Sequence, residues 1–336
     1  YVSGFKNDGS PAIILSKSRA NKIFERVGWS IKKIQEEMNR NLKPLNFQLG
    51  LLRFDANINI EPVIKKGANV VGEIRSRNRE YRDEYIVIGA HFDHIGLGGP
   101  SSGSRKPDSV KVHPGADDNA SGTAGLLELA QKLSSNKNRL KRSFLLVGFD
   151  AEEKGLLGSK YFVENSPVDM KHIVSMINMD MIGRMSDSSF TVGGVGTSPS
   201  FELLLDSLRT NRPFELIMDK PGFGPSDHAS FYTKDIPVLF FFSGIHDDYH
   251  TPLDTWQSIN LRGEKYILDF VYDVVFELSR SSIRPTFQEA GPKNNQMGSP
   301  RKFSVTLGIT PSYTSVKRGL EIDGISKSDG PAAKAG

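Results

Sequence analysis

The stretch Asp150-Ala-Glu-Glu153 places three carboxylates directly after the apolar run from Ser143 to Phe149. At the exit of a buried strand such like charges repel unless a cation lies between them, and a metal ion is the simplest candidate. A solvated acidic turn is the plainer reading of this stretch taken alone. The pattern recurs, however. Tyr85 to Ile88 ends at Gly89-Ala-His-Phe-Asp-His94, Ile173 to Ile177 delivers Asn178-Met-Asp180, and Ile236 to Phe242 delivers His246-Asp-Asp-Tyr-His250. Gly115-Ala-Asp-Asp-Asn-Ala-Ser-Gly122 sets Asp118 just ahead of a helical pattern. Two imidazoles and three carboxylates, one carboxylate shared, suit a site for two Zn2+ ions. Asp93 stands two residues after His91, where its carboxylate can accept the second ring N–H and orient the imidazole.

Composition narrows the chemistry. With 0 Cys there is neither a disulfide framework nor a thiolate, so a metal must be held by His and carboxylate. The net charge of +4 is small for 336 residues, and the basic residues are scattered without interleaved aromatics, so nucleic acid is excluded as a partner. No apolar run approaches the roughly 20 residues of a membrane span, and Tyr1 opens no charged segment with an apolar signal core. The sequence therefore reads as a processed product or an excised stretch of one large domain with smaller attachments.

The elements that must position these residues follow from periodicity. Ser18 to Val27 and Ile31 to Met38 have helical spacing, with Gly28 as the stop between them. Short alternating strands are expected from Phe47 to Ile74, Asn57 to Ile60 being the plainest, and Arg75 to Glu84 reads as a solvated hairpin tip. Gly96 to His113 is a Gly-, Ser- and Pro-rich loop. A helix follows from Thr123 to Leu133, with Ala124, Leu127, Ala130 and Leu133 on one face and Asn119 or Ser121 as its cap. Further helices are expected at 201–210 and 262–280. Strand alternating with helix predicts an α/β fold with a mostly parallel central sheet flanked by helices, its site beyond the carboxyl ends of the strands. The organisation expected is a helical segment over 1–44, a main domain over 45–284, a Pro-, Gly- and Asn-rich linker over 285–300, and a piece over 301–336 too short to bury a core.

Five motifs in this order, Gly89-Ala-His-Phe-Asp93, Gly115 to Gly122, Asp150 to Ser159, Asn178-Met-Asp-Met-Ile-Gly183 and Tyr249-His-Thr-Pro-Leu-Asp254-Thr, resemble the co-catalytic zinc aminopeptidases of the bacterial leucine-aminopeptidase type. Glutamate carboxypeptidase and glutaminyl cyclase share that wider family. The resemblance, over about Asn46 to Ser282, implies that His91 and Asp180 hold one zinc, Glu153 and His250 the other, and that Asp118 bridges them. It implies Glu152 as general base and Tyr249 as an oxyanion donor, and it suggests Asp254 as a partner of His250 or a helix cap. It further implies peptide substrates with a free N-terminus, bound through carboxylates near the metals, and a secreted or periplasmic location. Phe223, Phe231, Tyr232 and Phe242 are candidates to line the pocket for the first side chain, although core packing is the plainer role for most of them. The flanks resemble the end of a protease-associated domain and the first part of a PDZ domain, which when complete binds peptide ends by strand addition. A carboxypeptidase, a glutaminyl cyclase or an inactive peptide-binding protein of the same fold are the alternatives. Ser226-Asp-His228 is discounted as a serine triad because adjacent residues rarely reach triad geometry.

Overall fold

The computed structural model describes residues 15–46, 49, 64–100, 102–293, 309–311, 322–325, 331 and 334. The chain divides into two compact units, one of residues 2–65 and one that takes in residues 66–336. In the first, the helices α1 (Lys17–Glu25) and α2 (Ile31–Asn41) begin where the Ser16 and Ser30 side chains accept hydrogen bonds from the amides of Arg19 and Lys33. Gly28, at φ +76°, makes the break expected between them.

Among the described residues, the main sheet of the second unit has seven strands: β1 (Val70–Ile74), β2 (Tyr85–His91), β3 (Ser143–Phe149), β4 (Ile173–Met179), β5 (Ser189–Gly193), β6 (Glu215–Met218) and β7 (Val238–Phe242). They lie in the order β1-β3-β2-β4-β7-β5-β6. The four inner strands β3, β2, β4 and β7 are mutually parallel, β1 and β5 run antiparallel to their inner neighbours, and β6 is parallel to β5. This is the mostly parallel α/β sheet expected, with antiparallel joints towards both edges. Every residue of β2, β3 and β4 is buried because helices cover both faces.

On one face lie α3 (Gly122–Ser135), α5 (Pro199–Arg209) and α7 (Leu261–Arg280); on the other lie the shorter α4 (Leu157–Glu164) and α6 (His228–Tyr232). Along β2, Ile86, Ile88 and Ala90 pack into the first core, with Leu129, Phe270 and Val274, while Tyr85 and Val87 pack into the second, with Phe162 and Phe231. The buried face of α3 is Leu126, Leu129 and Leu133, whereas Leu127 is 67% exposed, so the face expected from the sequence is out of phase. Gly125 lies on the buried face with Leu126 and Leu129, where a Cβ would meet the Leu268 side chain of α7 at 2.5 Å. The far end of α7 is held by the fully buried Arg142, whose Nη1 donates to the carbonyls of Leu278 and Ser281.

Arg75 to Glu84 is not a hairpin tip, because the two strands it joins are separated in the sheet by β3. It is a turn that closes on Asn78, whose side chain accepts from the amides of Glu80 and Tyr81. Two further strands, β8 (Ile309–Pro311) and β9 (Ile322–Ile325), pair antiparallel. The strand expected at Asn57 to Ile60 lies outside the described residues. Among the described residues, no helix is long and apolar enough to cross a membrane.

Candidate metal centre

The four inner strands all end on the same side of the sheet, and each ends in a residue or turn with metal-ligand chemistry. His91 is the last residue of β2, Glu152 and Glu153 follow β3, Asp180 follows β4, and His250 lies in the segment after β7. Asp118 comes from the turn before α3, where Asn119, rather than Ser121, caps the helix by accepting from the amide of Gly122. Gly115 opens that turn at φ +59°, and a Cβ on it would meet the carbonyl oxygen of Asp118 at 2.4 Å. Three residues without glycine's freedom also take left-handed backbone at the site: Ala151, Met181 and His250 itself. Such strain persists only where surrounding contacts over-determine it, and it gathers at functional positions.

The side chains converge in two groups that share Asp118. His91, Asp118 and Asp180 form one; His94, Asp118, Glu153 and His250 form the other. Within each, one donor atom per residue lies within 4.8 Å of all the rest. His91 Nε2 is 3.4 Å from Asp118 Oδ1 and 3.4 Å from Asp180 Oδ1. His250 Nε2 is 3.0 Å from Asp118 Oδ2 and 3.3 Å from Glu153 Oε2. All five residues expected as ligands are therefore brought together. His91 Nε2, Asp180 Oδ1, His94 Nδ1 and Glu153 Oε1 are buried yet have no hydrogen-bond partner. Buried polar atoms without partners are rare, and here they face one another, as donors do around a cation. The residues present fit a metal.

The tautomers are fixed from behind. A carbonyl oxygen can only accept, so His91 Nδ1 donates to the backbone oxygen of Asp93 at 3.0 Å and His250 Nδ1 to that of Gly103 at 3.0 Å. Both Nε2 lone pairs then point into the site. This corrects the role expected of Asp93, whose carboxylate stays 3.7 Å from the ring. Its two oxygens instead accept the backbone amides of Glu152 at 2.9 Å and Glu153 at 3.2 Å, holding the acidic turn. Asp254 is likewise neither a partner of His250 nor a cap. Its carboxylate accepts from the amides of Asp117 and Asp118 and clamps the turn that carries Asp118, the residue common to both groups. Asp150 faces away and accepts from the amide of Ala68.

Electrostatics show how far the site is from neutral balance. Burial, then the charges of Asp180, Asp227 and Glu153 against the pull of His91, pushes the Glu152 carboxyl up to about 10. Burial also raises Glu153, but the His250 and His94 rings outweigh it and leave that carboxyl at about 2. The same competition, won by His250 and His91, holds Asp118 well below the carboxylate range. Against its own burial, Asp118 and Glu153 raise the His250 ring to about 10. Burial and the surrounding carboxylates raise the Tyr249 phenol, which remains a donor.

A cavity of about 100 Å³ opens beside the groups, lined by Asp118, Glu152, Glu153, Asp180 and His250 on one side and by Met181, Pro225, Phe240, Phe242, Ile245 and Tyr249 on the other. Of the aromatic residues expected here, Phe242 lines it, whereas Phe231 and Tyr232 are core and Phe223 packs on that core. Ser226-Asp-His228 forms no triad, since Ser226 accepts from Asn178 Nδ2 and the His228 ring stacks on Phe240. His94 was missed by sequence reasoning, although His-x-x-His at a strand exit is a pairing that could have flagged it.

Comparisons with known proteins agree with the fold. Among relatives, aminopeptidase YwaD of Bacillus subtilis is 28% identical over 227 residues, 65% of this chain and 46% of the relative. Leupeptin-inactivating enzyme 1 of Streptomyces exfoliatus is 35% identical over 138 residues, 41% of this chain and 31% of the relative. Among solved structures, an aminopeptidase from Aneurinibacillus sp. strain AM-1 superposes with a TM-score of 0.54 at 27% identity, covering 68% of this chain and 52% of that one. The zinc aminopeptidase BSAP from Bacillus subtilis does so with a TM-score of 0.52 at 26% identity, covering 66% and 53%. The chain thus spans about half the length of these structures and less than half of the two sequence relatives. Residues 69–275, which carry every ligand candidate, match the model of peptidase family M28, and the chain belongs to that family.

Proposed function

We propose that the protein is a two-zinc aminopeptidase that removes apolar residues from the N-termini of peptides. The observation that carries this reading is the sharing of Asp118 by two donor groups, with Glu152 in the wall of the same cavity. His91 and Asp180 would hold one ion, Glu153 and His250 the other, and Asp118 both. Bound zinc supplies Lewis acidity towards the scissile carbonyl and lowers the pKa of a nearby water molecule.

The protein's own groups do the rest. Glu152, raised by burial, becomes a base when positive charge stands beside it, takes a proton from the attacking water and passes it to the leaving amine. Asp93 keeps that carboxylate on station through the backbone of the acidic turn. The Tyr249 hydroxyl stays protonated and can donate to the oxyanion that develops at the carbonyl. Phe240, Phe242, Met181 and Ile245 offer an apolar wall in a space of about 100 Å³, about three waters' worth, which suits a single side chain. Among the described residues the cavity lining includes no Lys or Arg, so its charge favours the ammonium end of a peptide over the carboxylate end. That argues for an aminopeptidase over a carboxypeptidase, and the names borne by the relatives support it.

The test is a panel of aminoacyl p-nitroanilides, free and N-acetylated, with protein stripped by chelator and reloaded with zinc. Leu and Phe derivatives are expected to turn over fastest and the acetylated ones not at all. Glu152→Gln is expected to keep its zinc while kcat falls by about 10²–10⁴-fold. Wild-type turnover in that variant, or equal hydrolysis of blocked substrates, would remove the reading.

A further inference from the structure

His94 is absent from the ligand set that the resemblance implies, yet its ring belongs to the quartet with Asp118, Glu153 and His250. Its Nδ1 lies 2.7 Å from Glu153 Oε1 and 3.7 Å from Asp118 Oδ2. Neither that nitrogen nor Glu153 Oε1 makes a well-aligned hydrogen bond, and the two face each other at ion-pair distance. The ring is nine-tenths buried and meets the His250 ring edge-on, with centroids 5.6 Å apart. Two imidazoles and two carboxylates with donor atoms within 4.8 Å of one another supply the four donors that a tetrahedral zinc position takes, whereas His91, Asp118 and Asp180 supply three.

From this geometry, and resting on the two-zinc reading above, we propose that His94 is a direct metal ligand and that the two metal positions are unequal. The quartet binds zinc first and more tightly, as a closed position does, and the trio keeps an open place for the reacting groups. The quartet's second nitrogen also biases it towards zinc and cobalt over magnesium and manganese, which prefer oxygen.

Calorimetric titration of the chelator-stripped protein with Zn2+ alone tests this, with far-UV circular dichroism as a check on folding. The wild type is expected to show two events at least about tenfold apart. His94→Ser is expected to weaken the tighter event by more than about 100-fold, beyond the 10–100-fold typical of a group that only orients a ligand. The weaker event should move little, and His91→Ala should reverse the pattern. His94→Gln separates coordination from support, because an amide can donate to Glu153 but is a poor zinc ligand. Recovery of wild-type affinity in His94→Gln, or two unchanged events in His94→Ser, overturns the proposal. Uptake of a single ion by the wild type would sink the two-zinc reading, while loss of that one ion in His94→Ser would still uphold His94 as a ligand.

Discussion

The two donor groups at the strand ends are held in different ways. The trio is carried largely by the sheet: His91 closes β2 and Asp180 follows β4, two adjacent strands paired from Tyr85 to Gly89. The quartet is carried by connecting segments, and none of its members lies in a strand or an α-helix. The difference extends to what orients the imidazoles. His91 leans on the carbonyl of Asp93, two residues away, whereas His250 leans on the carbonyl of Gly103, 147 positions away. The trio is thus specified by local chain geometry, and the quartet depends on the 96–113 loop being docked. That loop is fastened to its partner by the Arg105 amide, which donates to the carbonyl of His250, and is braced internally by a bridge between Gly98 and Val110.

If the groups are separate in support but joined through Asp118, removing the joint must damage both. Asp118→Asn should abolish two-ion loading and lower kcat by at least about 100-fold, as expected when several kcal/mol of charge stabilisation are lost. Metal analysis of the dialysed variant checks it, and retention of either ion at full affinity would break the picture of a shared ligand. Asp254→Ala should act on the same joint more gently. It strands the buried amides of Asp117 and Asp118, at about 1–3 kcal/mol each. Zinc affinity of both groups should then fall together by about 10–100-fold. Weakening of one group alone would show that Asp118 is not clamped from Asp254.

A third experiment probes the floor under the trio. The His228 ring stacks on Phe240 of β7, next to the strand that delivers Asp180, and burial pushes its pKa down to about 3. Between that value and the ordinary 6.5 the unfolded chain binds a proton that the folded chain does not, so stability is lost as pH falls below about 6.5. From pH 7 to pH 5 the ring should cost about 2 kcal/mol. Urea midpoints of the metal-free protein at the two pH values should show it, and His228→Phe, which keeps the stack, should remove that part of the slope. An identical slope in the variant would clear His228.

Much of the trio and of the sheet was legible because one physical rule governs both. A strand covered on two faces must be a continuous apolar run, and a polar residue at its exit stands out, as His91 and Asp180 do. The support residues were named correctly by type and wrongly by partner. Asp93 was expected to hold an imidazole N–H, and Asp254 either to do the same for His250 or to cap a helix, but both hold backbone amides of distant segments, which carry no mark in a sequence. The face of α3 went out of phase for a related reason: counting apolar residues rewards the exposed Leu127 and ignores Gly125, which is buried against α7. His94 went unseen because its value depends on the path of the chain after β2, which brings it to Glu153 and His250 from a different strand exit.

The smallest effect should fall on the quartet alone. Ser104 Oγ lies 2.9 Å from His113 Nε2, and it also accepts from the amide of Lys106. The His113 ring is buried and its Nδ1 donates to the carbonyl of Lys111, which leaves Nε2 as an acceptor for the serine hydroxyl. This small network folds the loop so that Gly103 meets the His250 ring. Ser104→Ala should loosen the network by about 1 kcal/mol, the worth of one hydrogen bond. If that looseness reaches Gly103, zinc affinity at the quartet should drop by less than about tenfold, while the trio keeps its wild-type affinity. An equal drop in both groups would mean that the loop supports the whole site, and that the trio does not rest on local geometry after all.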